Sequence, residues 1–244
     1  LPDRPEWEFM RPRKFRVKTI RLRGVVSQGL MIPVGLEYEL GQDVAEAWGI
    51  KKWEPAPPPF WMQGKSEPDD PNFPKYTDIE HYRKFPHILK PGEPVICSEK
   101  CHGCNGRWGL IRQPNGSLTY KVGSHNRVKA QDDNNVWAGI SKIYDLEGKL
   151  RRAQGLTEIS SLAAAGLGPD TEVVLFGEAY GPGIQDLRYG LKDIQVAFFD
   201  AMVNSKYLDA PAFYLFMLAL DLPVTPILYK GDFSTNTLAY ADGK

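Results

Sequence analysis

At 244 residues, with 42% apolar and 25% charged side chains, the chain has the mix of an ordinary soluble globular protein and suits one large domain or a medium one with a smaller neighbour. Its 30 basic and 30 acidic residues cancel, so net charge neither implies nor excludes a nucleic-acid partner. The longest apolar run, Ala210 to Leu220, is too short to span a bilayer and is interrupted by Pro211, and the first residues lack the apolar stretch of a signal peptide. A cytoplasmic or otherwise intracellular protein without a membrane partner is the expectation.

Charge is distributed unevenly. Arg11, Arg13, Lys14, Arg16, Lys18, Arg21 and Arg23 fall together with no acid among them. Such a stripe is either a solvated strand face or a track for phosphates, since a local basic surface attracts polyanions whatever the net charge. Residues 15 to 36 mix β-formers with turn residues and read as two or three short strands broken at Gly24 and at Gln28-Gly29. A short helix from Asp43 through Trp48, stopped by Gly49, should follow. Strands of this size with one small helix fit a partial OB-like barrel over residues 1–54.

Between Pro55 and Pro74 stand seven prolines, which remove donors and fix φ, so residues 55–75 form a linker or strap. Thr77-Asp78-Ile79-Glu80 has the spacing of a capping box and predicts a short helix ending near Pro86. Val95 to Cys97 reads as a strand. Trp108–Ile111 and Leu118–Val122 read as a hairpin across Pro114-Asn115-Gly116. Helical periodicity runs from Val136 to Ala153 and again from Ile159 to Leu167. Strands are predicted at Glu172–Phe176, Ile194–Phe199 and Thr225–Tyr229, with an apolar helix from about Pro211 to Leu220. Trp108, Trp137 and the stripe Phe213–Leu220 are expected in the core.

The segment Cys97-Ser98-Glu99-Lys100-Cys101-His102-Gly103-Cys104-Asn105 is the richest in chemistry. Three cysteines and a histidine could be zinc ligands. In an extended run, however, Cys97 and Cys101 would face away from His102 and Cys104, and a zinc site would normally bring a second ligand pair from elsewhere, whereas the chain has only three Cys. Cys97 and Cys101 then read as small buried residues. The other reading makes Lys100 a nucleophile at a strand end.

Lys100-Cys101-His102-Gly103, followed by Asn105, resembles motif I of the ATP-dependent RNA ligases, in which Glu often precedes the lysine. Val122-Gly123-Ser124-His125-Asn126-Arg127 resembles the second box of that family. Phe176-Gly177-Glu178-Ala179-Tyr180-Gly181 resembles motif III, and Val196-Ala197-Phe198-Phe199-Asp200 resembles motif IIIa. The four boxes stand in the family's order.

The resemblance implies an α+β fold: a nucleotidyltransferase domain over residues 76–244, an ATP-grasp-like ligase adenylation domain of antiparallel sheets with flanking helices, preceded by the OB-like β-barrel module. It implies that Lys100 attacks ATP to form lysyl-AMP, with Mg²⁺ or Mn²⁺, and that the monomer joins RNA 3′-hydroxyl and 5′-phosphate ends, in a nicked duplex or single-stranded. Glu99, His102, Gly103, Asn126, Arg127, Glu178 and Phe198 become the nucleotide-binding set. His102 and Glu178 would address the ribose, Arg127 a phosphate, and Phe198 the adenine face. Phe198 and Phe199 point to opposite faces of a strand, so one of them is core; the family's spacing from Glu178 selects Phe198. Glu178 could also be an ordinary strand-end acid.

Cys104 stands where the family has Thr. Motifs IV and V, which bring an acidic metal-associated strand and a lysine-rich strand, would follow Lys244. The chain begins at Leu1 and stops at Asp242-Gly243-Lys244, so an incomplete nucleotidyltransferase that adenylates poorly is expected. A DNA ligase of the same superfamily is the neighbouring alternative, disfavoured because His102 replaces Asp. A non-catalytic nucleic-acid-binding protein with a degenerate ligase fold is the alternative from another class.

If the basic stripe tracks phosphates, replacing Arg13, Lys14 and Lys18 by Gln should weaken RNA binding. The slope of log K against log salt should flatten by about one unit for each phosphate no longer neutralised. An unchanged slope in a salt titration would return the stripe to a solvated face.

Overall fold

The computed structural model describes residues 5–22, 25–27, 29–33, 37–51, 64–131, 135–155, 166–187 and 189–241. Two compact units divide at Pro57/Pro58.

In the first unit, 3₁₀ turns over Pro5–Arg13 are kinked at Trp7. Strands β1 (Ile20–Leu22) and β2 (Val25–Ser27) pair antiparallel. Trp7 is buried, its ring 5.7 Å from that of Trp48, and the Trp48 indole N–H donates to the Tyr38 hydroxyl at 2.9 Å. The expected helix over Asp43–Trp48 is one hydrogen-bonded turn, Trp48 N to Val44 O, ended by Gly49 at φ +63° as its position suggested. The basic stripe is not one strand face. Arg11 lies in the 3₁₀ turns and is bound by Glu8, Lys14 has a left-handed backbone, and Arg21 is on β1. Arg23 lies outside the described residues.

The second unit is built on a six-stranded antiparallel sheet. Its strands, in chain order, are β4 (Cys104–Arg112), β5 (Leu118–Ser124), β6 (Val128–Lys129), β7 (Val173–Tyr180), β8 (Gln195–Val203) and β9 (Lys206–Tyr207). Their spatial order is β6-β5-β4-β7-β8-β9. A separate pair joins β3 (Pro94–Ser98) to β10 (Ile227–Asp232). Among the described residues, helices α1 (Val136–Ile143), α2 (Leu146–Ala153) and α3 (Ala210–Ala219) pack in this unit.

Alternation sorts the side chains of the sheet into two layers. Trp108, Leu110, Tyr120, Val122, Val173 and Leu175 join Trp137, Ile140, Leu146, Leu150, Phe213 and Phe216 in the larger core. The opposite face carries Ile111, Val128, Val174 and Phe176, packed with Phe73. Phe73 comes from the proline-rich strap, whose described part also bridges Ser66 to Lys129 on β6. The strap's residues 55–63 lie outside the described residues.

Three local expectations need correction. Thr77–Glu80 does not open a helix: the Thr77 amide donates to the Tyr207 hydroxyl, and a single 3₁₀ turn, Tyr82–Lys84, is capped by His81 instead. The helix expected over Val136–Ala153 is two helices, because Asp145 adopts a left-handed backbone (φ 48°, ψ 47°) between them. Of the helix expected over Ile159–Leu167, residues 159–165 lie outside the described residues; Leu167 is core.

The third correction concerns β8. Phe176 pairs with Asp200 but Gly177 pairs with Phe198, so Phe199 is an extra, bulged residue. Phe198 and Ala201 therefore share the larger core, whereas Phe199 and Asp200 both meet Tyr76 on the other face. Phe198 has no exposed surface and its ring lies 5.5 Å from that of Trp108, edge to face. Phe198→Ala should cost about 3–5 kcal/mol, the range for a fully buried Phe, and Phe199→Ala less. Urea denaturation of both variants checks this, and equal losses would contradict the bulge.

Candidate active site

The loop Glu99–Gly103 joins the small sheet to the large one, and Lys100 stands exposed on it. Strand β3 is anchored beforehand, since the Glu99 amide donates to the Pro226 carbonyl at 2.8 Å. On the far side of the loop, the Gly103 amide donates to Glu178 Oε1 at 3.1 Å. A Cβ at Gly103 would overlap the Ala179 carbonyl oxygen, so glycine is required here for the loop to reach β7.

Register explains why these groups meet. Asn105 on β4 pairs with Glu178 on β7, which pairs with Ala197 on β8; one step away Gly106 pairs with Ser124 on β5. Glu99, Lys100, His102, Gly103, Glu178 and the Ser124–Arg127 turn are thus brought to one end of the sheet. Asn126 and Arg127 are exposed in that turn, where the Arg127 amide donates to the Ser124 hydroxyl and its carbonyl accepts from the Ser124 amide. Asn105 Oδ1 is buried and without a hydrogen-bond partner. Unsatisfied buried acceptors are uncommon, and one beside Glu178 marks a place for a ligand donor.

Phe198 is not part of this group. It lies on the opposite face from Glu178, sealed in the core, so the expectation that it flanks a ligand is corrected: Phe199, the next residue, is on the Glu178 face.

Burial pushes the Glu178 carboxyl above its ordinary value, opposed by the Lys100 charge, the Gly103 N–H and His102. Burial also raises Cys101, and raises Cys104 to about 12, aided by Glu178. Both thiols stay protonated at neutral pH, which suits neither metal ligation nor nucleophilic attack. The run Cys97–Cys104 is not one extended strand, because residues 99–103 form a loop, so the alternation argument against zinc does not hold. Among the described residues, however, no group of three or more His, Cys, Asp or Glu is placed to hold a metal ion.

Two features were not legible beforehand. Gln185, Asp186 and Tyr189, on the turn after β7, all contact the Lys100 loop. Arg107 on β4 is wholly buried, its guanidinium 4.4 Å from the Phe73 ring centroid. It donates to the Phe73 carbonyl and, at 3.1 Å, to the Ser124 carbonyl, so it ties the strap to the turn bearing Arg127. Its Nη2 has Asp69 at 3.9 Å, too long for a hydrogen bond. The Gly181-Pro182-Gly183 turn signal after β7 could have pointed to the first feature. Nothing in the sequence marked Arg107.

A family model described as RNA ligase matches residues 93–243, and an OB-fold domain model matches residues 1–34. No curated protein matches. Among solved structures, a substituted form of the Naegleria gruberi RNA ligase with ATP and Mn superposes with a TM-score of 0.59 at 23% identity, covering 90% of this chain and 63% of that one. The same ligase with PPi gives 0.58 at 24% identity, over 88% and 61%. Another substituted form, with AMP and Mn, gives 0.56 at 23%, over 90% and 63%. At these identities the likeness is one of fold, and the chain spans less than two thirds of the ligase's length.

The raised Glu178 value carries a stability consequence. The folded state holds this proton more tightly than the unfolded chain, whose value is near 4.5. The contribution to stability is therefore fully present below that pH and is lost as pH rises through the folded value. Glu178→Gln keeps an acceptor for Gly103 and removes the buried charge. Its melting midpoint should exceed that of the native protein at pH 7 and match it near pH 4, by calorimetry. A lower midpoint at pH 7 would show that the ionised form is stabilised in place.

Proposed function

Because the chain belongs to the RNA ligase family, we propose that it is an ATP-dependent nucleotidyltransferase that seals RNA ends through AMP carried on Lys100. The observation that carries this reading is the meeting of the exposed Lys100 loop with the half-buried Glu178 carboxylate at one sheet end, joined by the Gly103 amide. A nucleophilic amine beside a sheltered carboxylate suits a substrate with hydroxyls to bind and a phosphate to attack.

In this reading the adenosine of ATP enters the open end of the sheet face that bears Glu178, Asn105 and Phe199. Glu178 accepts from a ribose hydroxyl, and the orphaned Asn105 Oδ1 accepts a donor of the nucleoside. Phe199, on the same face as Glu178, takes the aromatic role. Lys100 Nζ, having lost a proton, forms a bond to the α-phosphorus while the bond to the pyrophosphate oxygen breaks. The adenylate then passes to a 5′-phosphate of RNA, and a 3′-hydroxyl displaces AMP to close the strand. Arg127 and His102 supply positive charge or donors toward the phosphates and ribose.

A divalent cation, Mg²⁺ or Mn²⁺, neutralises phosphate charge when bound. The described residues offer no ready cage, and such an ion is commonly held by phosphate oxygens and water with one or two carboxylates, which fits this site. Residues 1–54 act as an RNA-contacting module, residues 55–75 as strap, and residues 76–244 as the adenylating domain. A role in RNA repair and an intracellular setting follow from the same reading.

Given motifs IV and V, incubation with α-labelled ATP and Mn²⁺ should give a covalent, acid-labile AMP adduct that maps to Lys100. Lys100→Ala should abolish the label while leaving the melting midpoint within about 0.5 kcal/mol equivalents, as for an exposed loop residue. A label on another lysine would overturn the assignment, and no label at all would favour a non-catalytic RNA-binding protein.

A further inference from the structure

The loop that carries Lys100 is short and exposed, yet it is held at several points. Apart from the Gly103–Glu178 and Glu99–Pro226 bonds, its hydrogen bonds come from one segment, the turn that follows β7. The Tyr189 hydroxyl accepts the His102 amide at 2.6 Å. Gln185 Nε2 donates to the Gly103 carbonyl at 3.2 Å. The His102 ring donates from Nε2 to Asp186 Oδ1 at 2.7 Å, since an ionised carboxylate can only accept. The turn has its own anchors: Ile184 is buried in the larger core, and the Tyr189 ring sits edge to face on Tyr180 at 5.0 Å.

Neither polar contact is explained by fold stability. The side chain of Asp186 is 94% exposed and that of His102 49% exposed, and pairs so wetted add little to stability. Tyr189 is held at φ 54°, a backbone region that disfavours side chains larger than glycine. Strain of that kind persists where surrounding structure imposes it, and here it delivers a hydroxyl to the residue two places beyond Lys100. The His102 hydrogen bond also holds the Asp186 carboxyl below its ordinary value, keeping it ionised and able to accept.

We propose that Asp186 and Tyr189 are positioning residues for the nucleophile, acting through His102: the Tyr189 hydroxyl fixes its backbone and the Asp186 carboxylate fixes its ring. With Nε2–H committed to Asp186, Nδ1 is the ring atom left to address the nucleotide. The inference rests on the assignment of Lys100 as the residue that receives AMP. Its contribution is to the attack geometry rather than to ATP affinity, because neither residue contacts the Glu178–Asn105 end directly.

The test uses the protein with motifs IV and V present, α-labelled ATP with Mn²⁺, and single-turnover adduct formation across ATP concentrations. Asp186→Ala should lower the maximal rate roughly tenfold, the scale expected when a reacting group loses its orientation, and leave half-saturating ATP within about twofold. Asp186→Asn, which retains an acceptor, should recover part of that rate. The double variant His102→Ala/Asp186→Ala should be no slower than His102→Ala alone, since the two act as a unit. Tyr189→Phe should speed hydrogen exchange at the His102 amide without moving the melting midpoint. A native rate in Asp186→Ala, or losses that multiply in the double variant, would overturn the inference while an adduct on Lys100 leaves the parent reading intact. An adduct on a different lysine would overturn that parent reading itself.

Discussion

The hydrogen bond from the Gly103 amide to the Glu178 carboxylate holds together two pieces of chain 75 residues apart. Everything distinctive at this end of the sheet depends on it. The bond needs β4 and β7 paired so that Asn105 faces Glu178, and it needs a glycine where any Cβ would strike the Ala179 carbonyl. It also needs a carboxylate kept from water, which burial alone would disfavour. The Lys100 charge and the Gly103 donor offset that penalty only in part, and the carboxyl stays above its ordinary value.

The strap determines which part of the sheet remains open. Phe73 and Tyr76 cover the face beside Ile111, Phe176 and Phe199, and Tyr76 donates to Asp200 at 3.1 Å. Lys121 meets Asp70 of the strap at 2.9 Å. Arg107 completes the attachment from within, a buried cation answered mainly by carbonyl oxygens. Coverage stops short of Glu178, and this is why one end of an otherwise two-sided core is left for a ligand.

The family was legible because four boxes stand in its order from Lys100 to Asp200, and the RNA ligase family model matches residues 93–243. Hairpin β4–β5 was legible for a similar reason, with Gly116 at φ +84° in its turn. The side of the sheet taken by Phe198 was not. Alternation assigns faces only in a regular ladder, and one bulged residue reverses the assignment beyond it. The break at Asp145 was hidden because the apolar spacing continues across it. The capping-box spacing at Thr77 misled because the Tyr207 hydroxyl, distant in sequence, takes the Thr77 amide.

The ends of the large sheet carry one more consequence. An open sheet normally exposes a row of unpaired amides and carbonyls along each outer strand, which a neighbouring molecule can extend. Here both outer strands, β6 and β9, are only two residues long, and the first is already bridged by Ser66. These two strands themselves therefore offer little template for strand addition. At these two strands the fold leaves little for copies of itself to join edge to edge.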